Sequence, residues 1–165
     1  MIAALFREVV AGHLGAELLL GSGLLLLTAL VHGVGIALVL WVHEHQLLRA
    51  AAHRATHAVA SLATMIAVLI AVHLVEIFLW ALLFTEIGAI AGLRDAFYFS
   101  TVTYTTLGYQ DVPFPNEYRI LPGMLALAGV FMMGWTTGVL FAVTNGYIQT
   151  HVRQRLERER ARAKQ

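Results

Sequence analysis

The chain has 165 residues, of which 59% are hydrophobic and only 13% charged, and its formal net charge is +1 at pH 7. So apolar a composition argues against a water-soluble globule. The absence of cysteine excludes disulfides and thiolate metal sites.

Three apolar blocks are long enough to cross the hydrocarbon core, which takes about 20 residues of helix. They cover residues 18–42, 58–84 and 120–148. Residues 1–17 mix apolar and charged side chains, which is typical of a helix lying at the membrane interface. The sequence therefore predicts an all-α membrane protein with three transmembrane helices, the first two joined by a short polar link at 43–57.

Basic residues set the predicted orientation. Residues 151–165 carry five arginines and one lysine against two glutamates, and Arg49 and Arg54 lie in the link. Positive charge next to a span favours the cytoplasmic side. The C-terminus and the link are therefore expected inside the cell, and segment 85–119 outside.

Within the outer segment, residues 96–106 are apolar and rich in hydroxyl groups but too short to span. They predict a re-entrant helix, with Asp95 as its N-cap. Non-helical backbone that follows such a helix inside the membrane is tolerated where it lines a water-filled path. This segment is therefore the predicted functional part of the chain.

Residues 100–111 read STVTYTTLGYQD, and they resemble the pore region of potassium channels, most closely the small bacterial members with one pore loop per chain. The resemblance covers roughly residues 58–147. Gln110 stands where the family has its last filter glycine. The positions that match the family pattern are Thr106, Leu107, Gly108, Tyr109 and Asp111.

The resemblance implies that backbone carbonyls of the filter replace the water shell of K⁺. The implied K⁺-binding residues are Thr106, Leu107, Gly108 and Tyr109. The implied supporting residues are Thr105, Gln110, Asp111 and Tyr98, with the Tyr98 side chain bonded to Asp111 and the Tyr109 ring packed against the pore helix.

It further implies a homotetramer around one pore, because one chain supplies one loop. Residues 58–150 would then form the pore domain, preceded by an N-terminal region at 1–57 and followed by a basic cytoplasmic tail at 151–165. We expect a multi-pass protein of the cell membrane, by resemblance the bacterial inner membrane. Its partners would be lipid and potassium ions, with no nucleic acid, no cofactor besides the permeant K⁺ and no enzymatic activity. Gln110 leaves open a weakly selective monovalent cation channel.

Glu76 lies deep in the second block, where a carboxyl group is costly and needs a partner. His73, one turn away, is the nearest candidate. The favoured interpretation is a neutral Glu76 bonded to the pore helix, and the alternative is a titratable pair that couples pH to the filter.

Gly129 and Gly134 stand where the resemblance places hinge glycines, and close helix packing is favoured over a gating bend.

Eight histidines raise a further alternative, a haem- or metal-binding membrane protein. His43 and His45 flank Glu44, and His53 and His57 are spaced four apart. Both spacings are compatible with metal binding. Histidines lying at the membrane surface are the favoured interpretation.

Overall fold

The computed structural model describes residues 13–49, 54–109 and 111–163. Three segments within these ranges are long and apolar enough to cross a membrane: Leu14–His45, Ala60–Glu86 and Leu121–Gln149. The predicted all-α architecture with three spans is therefore confirmed. The helices are α1 (His13–Arg49), α2 (Arg54–Glu86), α3 (Leu93–Tyr104) and α4 (Leu121–Arg162), and a short 3-10 turn at Asn116–Tyr118 precedes α4.

The helices on either side of the link are longer than the sequence predicts. Helix α1 continues to Arg49 and α2 begins at Arg54, so most of segment 43–57 is helical. This segment contains neither glycine nor proline and is rich in alanine, leucine and arginine, which favour helix. Residues 13–17 form the first turn of α1, and residues 1–12 lie outside the described ranges, so the interfacial segment stays a prediction.

Helices α1 and α2 pack closely along their length. A methyl group at Gly35 of α1 would come within 2.4 Å of Val72 Cγ2 on α2. Further along, the Trp80 indole donates a hydrogen bond to Thr28 Oγ1 at 3.2 Å, and both side chains are fully buried. Small residues and interhelical hydrogen bonds are the usual means by which membrane helices associate. The first helix is therefore packed directly against the second.

The first helix also contacts the start of α4. Glu17 is buried, and its Oε2 accepts a hydrogen bond from the backbone N–H of Ile120 at 3.0 Å. The first N–H groups of a helix lack partners within it, and the helix dipole favours negative charge there. Since α4 has no acidic residue in its own first turn, the Glu17 side chain of α1 supplies an acceptor oxygen at this helix start.

The chain divides into two compact units, Met1–Met132 and Met133–Gln165. The first unit contains α1, α2, α3 and the first turns of α4. In the second unit the end of α4 is exposed, and Arg153 pairs with Glu157 and Arg155 with Glu159 at one-turn spacing. The basic tail thus continues α4 as a solvated helix.

Candidate functional site

Helix α3 is short, and the chain leaves it directly into residues 105–109, which we call the filter segment because the sequence predicts a filter there. It begins at Leu93 with Gly92 as N-cap, and the Ala96 amide donates to the Gly92 carbonyl at 2.9 Å. The prediction that Asp95 is the N-cap is therefore wrong. Asp95 lies in the first turn instead, where its charge still complements the helix dipole.

The backbone after α3 folds back onto the end of that helix. The amide of Thr106 donates to the Thr103 carbonyl at 2.9 Å, and the amides of Leu107 and Gly108 both donate to the Val102 carbonyl, at 2.9 and 3.2 Å. In a trans peptide the carbonyl points away from the following N–H. The carbonyls of Thr105, Thr106 and Leu107 therefore point away from α3.

The sign of φ alternates along the same segment. Thr106 has φ of +60° and Gly108 has φ of +62°, whereas Leu107 and Tyr109 are not among the described residues with positive φ. Glycine reaches positive φ without steric cost, but threonine does so at a cost of about 1 kcal/mol or more. The surrounding structure thus holds this segment in a conformation that a free chain would avoid.

The filter segment is exposed within the single chain. Residues 105–109 are all exposed within the single chain, and Leu107 and Tyr109 are 57% and 65% exposed. Within one chain, then, the Tyr109 ring is not buried against α3. The Thr105 hydroxyl donates a hydrogen bond to the Thr101 carbonyl at 2.8 Å, which connects the first residue of the segment to α3.

Beyond the filter, two contacts attach the chain to the helices. Tyr98 on α3 donates a hydrogen bond to Asp111 Oδ2 at 2.7 Å, and this bond raises the pKa of the Tyr98 phenol. The Phe114 ring stacks on Phe99 at 5.0 Å and meets the edge of Phe84 at 5.1 Å. Gln110 lies outside the described residues.

Behind the filter, a cluster of polar side chains is buried among α1, α2 and α3; we call its four residues, His32, His73, Glu76 and Tyr104, the buried cluster. Glu76 contacts His32 Nδ1 at 2.8 Å and accepts a hydrogen bond from the Tyr104 hydroxyl at 2.5 Å. His73 Nδ1 lies 2.8 Å from the Tyr104 hydroxyl and 3.4 Å from Glu76 Oε2. The pH-linked role of His73 and Glu76 stays a prediction.

Sequence reasoning did not assign His32 and Tyr104 to this cluster. His32 lies 11 residues before the predicted link at 43–57 and Glu76 lies 19 residues after it, so distance along the sequence alone does not pair them. Tyr104 follows Ala96 and Ser100 at four-residue spacing, which places all three on the buried face of α3. That spacing was the available signal for Tyr104.

Gly129 lies where α4 passes the end of α3. A methyl group there would come within 1.9 Å of the Tyr104 carbonyl oxygen. Because that neighbour is backbone, it cannot move aside as a flexible side chain could. A methyl group at Gly134 would meet no atom of the described chain within 4 Å.

The remaining described histidine rings bond to different partners. His43 Nδ1 lies 2.8 Å from the Ser61 hydroxyl, and His45 Nδ1 lies 2.9 Å from the Trp41 carbonyl oxygen. His53, and the side chains of His13, His57 and His151, lie outside the described part of the chain. The spacing of His53 and His57 therefore stays a sequence-level alternative.

Comparison with known proteins gives one match. No curated protein and no solved structure shows significant similarity to the chain. Residues 68–145 match the family model described as an ion channel. The matched range includes most of α2, all of α3, the filter segment and the first part of α4, and it indicates an ion channel domain.

Proposed function

We propose that four copies of this chain form a potassium-selective channel, in which the carbonyls of Thr106, Leu107, Gly108 and Tyr109 bind K⁺ in succession. The observation that carries the proposal is the set of filter amides that donate back to α3, since these amides turn the preceding carbonyls to one side. Transport would be passive, without covalent chemistry or a cofactor.

The chemistry of the segment suits a dehydrated monovalent cation. A ring of carbonyl oxygens can replace the water shell of K⁺ without any side-chain charge. Helix α3 ends at Tyr104, immediately before the filter, so the negative end of its dipole lies next to this segment. The carbonyl oxygens and the negative end of the helix dipole both favour a cation, and they offer no hydrogen-bond donor to an anion.

The tetramer follows from what one chain lacks. One chain supplies one row of carbonyls, whereas a ring around the ion needs a row from each side, and cyclic symmetry supplies them. The exposure of Leu107 and Tyr109 agrees with this assembly, because the apolar and aromatic side chains at such positions would be buried when neighbouring subunits pack around the pore.

The alternative function is a weakly selective monovalent cation channel. The observation that favours it is Gln110, which stands where the resembling family has a glycine. A residue with a Cβ reaches the glycine conformation only at a cost of about 1 kcal/mol or more, and that cost is repeated in each subunit. The outer ion sites would then be altered while the inner ones remain.

A flux assay tests the proposed function. Purified protein in potassium-loaded liposomes, diluted into sodium buffer, should release K⁺ when a protonophore balances the charge. Gly108→Ala should lower this flux at least about tenfold, because alanine is strained at the positive φ of Gly108 in each of the subunits.

Gly92→Ala is the matched control. Gly92 precedes α3, has an extended backbone with φ of −176°, and leaves open space for a methyl group. Its flux should equal that of the wild type. Equal flux in Gly108→Ala and wild type would contradict a conduction path through this segment.

A further inference from the structure

We propose that the buried cluster is a binding site for a divalent transition metal of the Zn²⁺ class, lying behind the filter and separate from the K⁺ path. Its three metal-binding side chains are His32, His73 and Glu76, whose potential ligand atoms all lie within 4.8 Å of one another. Two imidazoles and a carboxylate are a common ligand set for Zn²⁺.

A four-coordinate site would form here after the ligand side chains rearrange. With ligand bonds of about 2.0 to 2.2 Å, the ligand atoms of a tetrahedral Zn²⁺ site lie roughly 3.3 Å apart. His73 Nδ1 and Glu76 Oε2 are already 3.4 Å apart, and His32 Nδ1 and Glu76 Oε1 are 2.8 Å apart. The His32–Glu76 pair would separate by about half an ångström, whereas ligand atoms of the cluster that lie up to 4.8 Å apart would move closer together.

Tyr104 would supply the fourth ligand, a phenol oxygen. Its hydroxyl lies 2.8 Å from His73 Nδ1 and 2.5 Å from Glu76 Oε2, beside two of the three other ligand groups. The four groups come from three helices that are packed together, which leaves little entropy to be lost on metal binding. In the metal-free protein, hydrogen bonds hold the ligands close to their bound positions.

Electrostatics also favours a divalent cation here. Glu76 is fully buried within a candidate membrane span, where an uncompensated carboxylate is costly. Neutral imidazole nitrogens select Zn²⁺ and its neighbours over K⁺, Mg²⁺ or Ca²⁺, which prefer oxygen ligands. The side chain of His73 is 19% exposed, whereas His32 and Glu76 are fully buried, so a metal would enter along His73.

Metal binding would act on the filter through Tyr104. This residue ends α3 and is followed directly by Thr105 and Thr106, and its carbonyl contacts Gly129 of α4. A metal bound to its hydroxyl would connect α1 and α2 to the end of α3. We therefore expect Zn²⁺ to change the current as well as to bind.

The test uses the full-length purified protein after chelator treatment, dialysed against Zn²⁺ or Co²⁺ alone. The wild type should retain about one Zn²⁺ per chain after gel filtration, and Co²⁺ should show the intense visible absorption of a four-coordinate site. His32→Gln and His73→Gln should each lose retention at least about tenfold, and Tyr104→Phe should weaken it less. The double variant His43→Gln/His45→Gln is the control and should bind as the wild type does.

A second measurement needs no variant. X-ray absorption at the zinc edge of the wild type should show about four nitrogen or oxygen ligands at about 2.0 to 2.2 Å, with imidazole scattering. The site would be overturned if the wild type retained no more Zn²⁺ than His32→Gln, or if the His43→Gln/His45→Gln control lost Zn²⁺ binding. An absorption spectrum that shows six oxygen ligands would also overturn it. Because binding is measured without current, failure of the metal site is distinguishable from failure of potassium conduction.

Discussion

The lack of a side chain at Gly129 allows α4 to approach the end of α3. The Gly129 Cα hydrogen faces the Tyr104 carbonyl, where a methyl group would come within 1.9 Å. The sequence placed Gly129 in the third span and favoured a packing role, but a list of glycines cannot say which one meets backbone. Which glycine contacts backbone depends on where α4 crosses α3.

Gly129→Ala should therefore lower the stability of the folded protein. Overpacking of this kind costs about 1 to 3 kcal/mol, although alanine is the better helix former. Gly123→Ala, the same change in the same helix with open space around it, should be neutral or stabilising. Thermal unfolding of the two variants in detergent checks this, and equal melting temperatures would contradict the close contact.

The Tyr98–Asp111 pair predicts a pH dependence at the outer end of the filter. The pKa of Tyr98 is raised in the folded protein, chiefly by the hydrogen bond to Asp111. The contact's contribution to stability is therefore fully present below about pH 10, the ordinary pKa of tyrosine, and is lost as the pH rises through the higher folded value. At neutral pH the wild type should be more stable than Tyr98→Phe.

Melting temperatures measured from pH 7 into the alkaline range check this pair. The difference between wild type and Tyr98→Phe should close above about pH 10. Tyr118→Phe, the same side-chain change in the 3-10 turn before α4, is the control. A Tyr98→Phe curve that runs parallel to the wild type throughout would exclude the contact as a source of stability.

At the scale of helices, much of the structure was predictable because long apolar blocks have few alternatives in a bilayer. The three spans and the short helix before the filter follow from this constraint. The helix ends do not follow from it, since α1 continues to Arg49 and α2 begins at Arg54, both inside the segment predicted as a polar link. The start of α3 at Leu93 also escaped prediction, because a backbone carbonyl rather than the Asp95 side chain closes its first turn.

The first helix lies outside the matched channel domain, and its packing predicts that it stabilises α2. The hydrogen bond from Trp80 to Thr28 is one measurable part of that packing. A double-mutant cycle with Thr28→Val and Trp80→Phe should give a coupling energy of about 0.6 kcal/mol, the average for interhelical hydrogen bonds in membranes.

The control cycle pairs Thr28→Val with Ser61→Ala, a residue whose hydroxyl bonds to His43 instead. The effects of substitutions at distant sites on the free energy of unfolding are additive, so the coupling energy of this cycle should lie within error of zero. The free energies come from reversible unfolding in mixed micelles. Equal coupling in the two cycles would contradict a specific contact between α1 and α2.

At the scale of the whole molecule, orientation rests on charge. The arginines of the tail and of the link favour the cytoplasm. A protease-cleavable tag after Gln165 should therefore be protected in intact spheroplasts and cut after lysis. A tag placed between α3 and α4, in the outer segment, is the control and should be cut without lysis. Cleavage of the C-terminal tag in intact spheroplasts would reverse the proposed topology.

Potassium selectivity is the central claim, and the reversal potential measures it most directly. Purified channels in a planar bilayer, with potassium on one side and sodium on the other, should reverse close to the potassium equilibrium potential. The inner carbonyls from Thr106 to Tyr109 do not need Gln110, so Gln110→Gly should keep that reversal potential and change conductance or open-state stability. A wild type that reverses near zero, with Gln110→Gly moving to the potassium potential, would contradict the claim and establish the weakly selective channel instead.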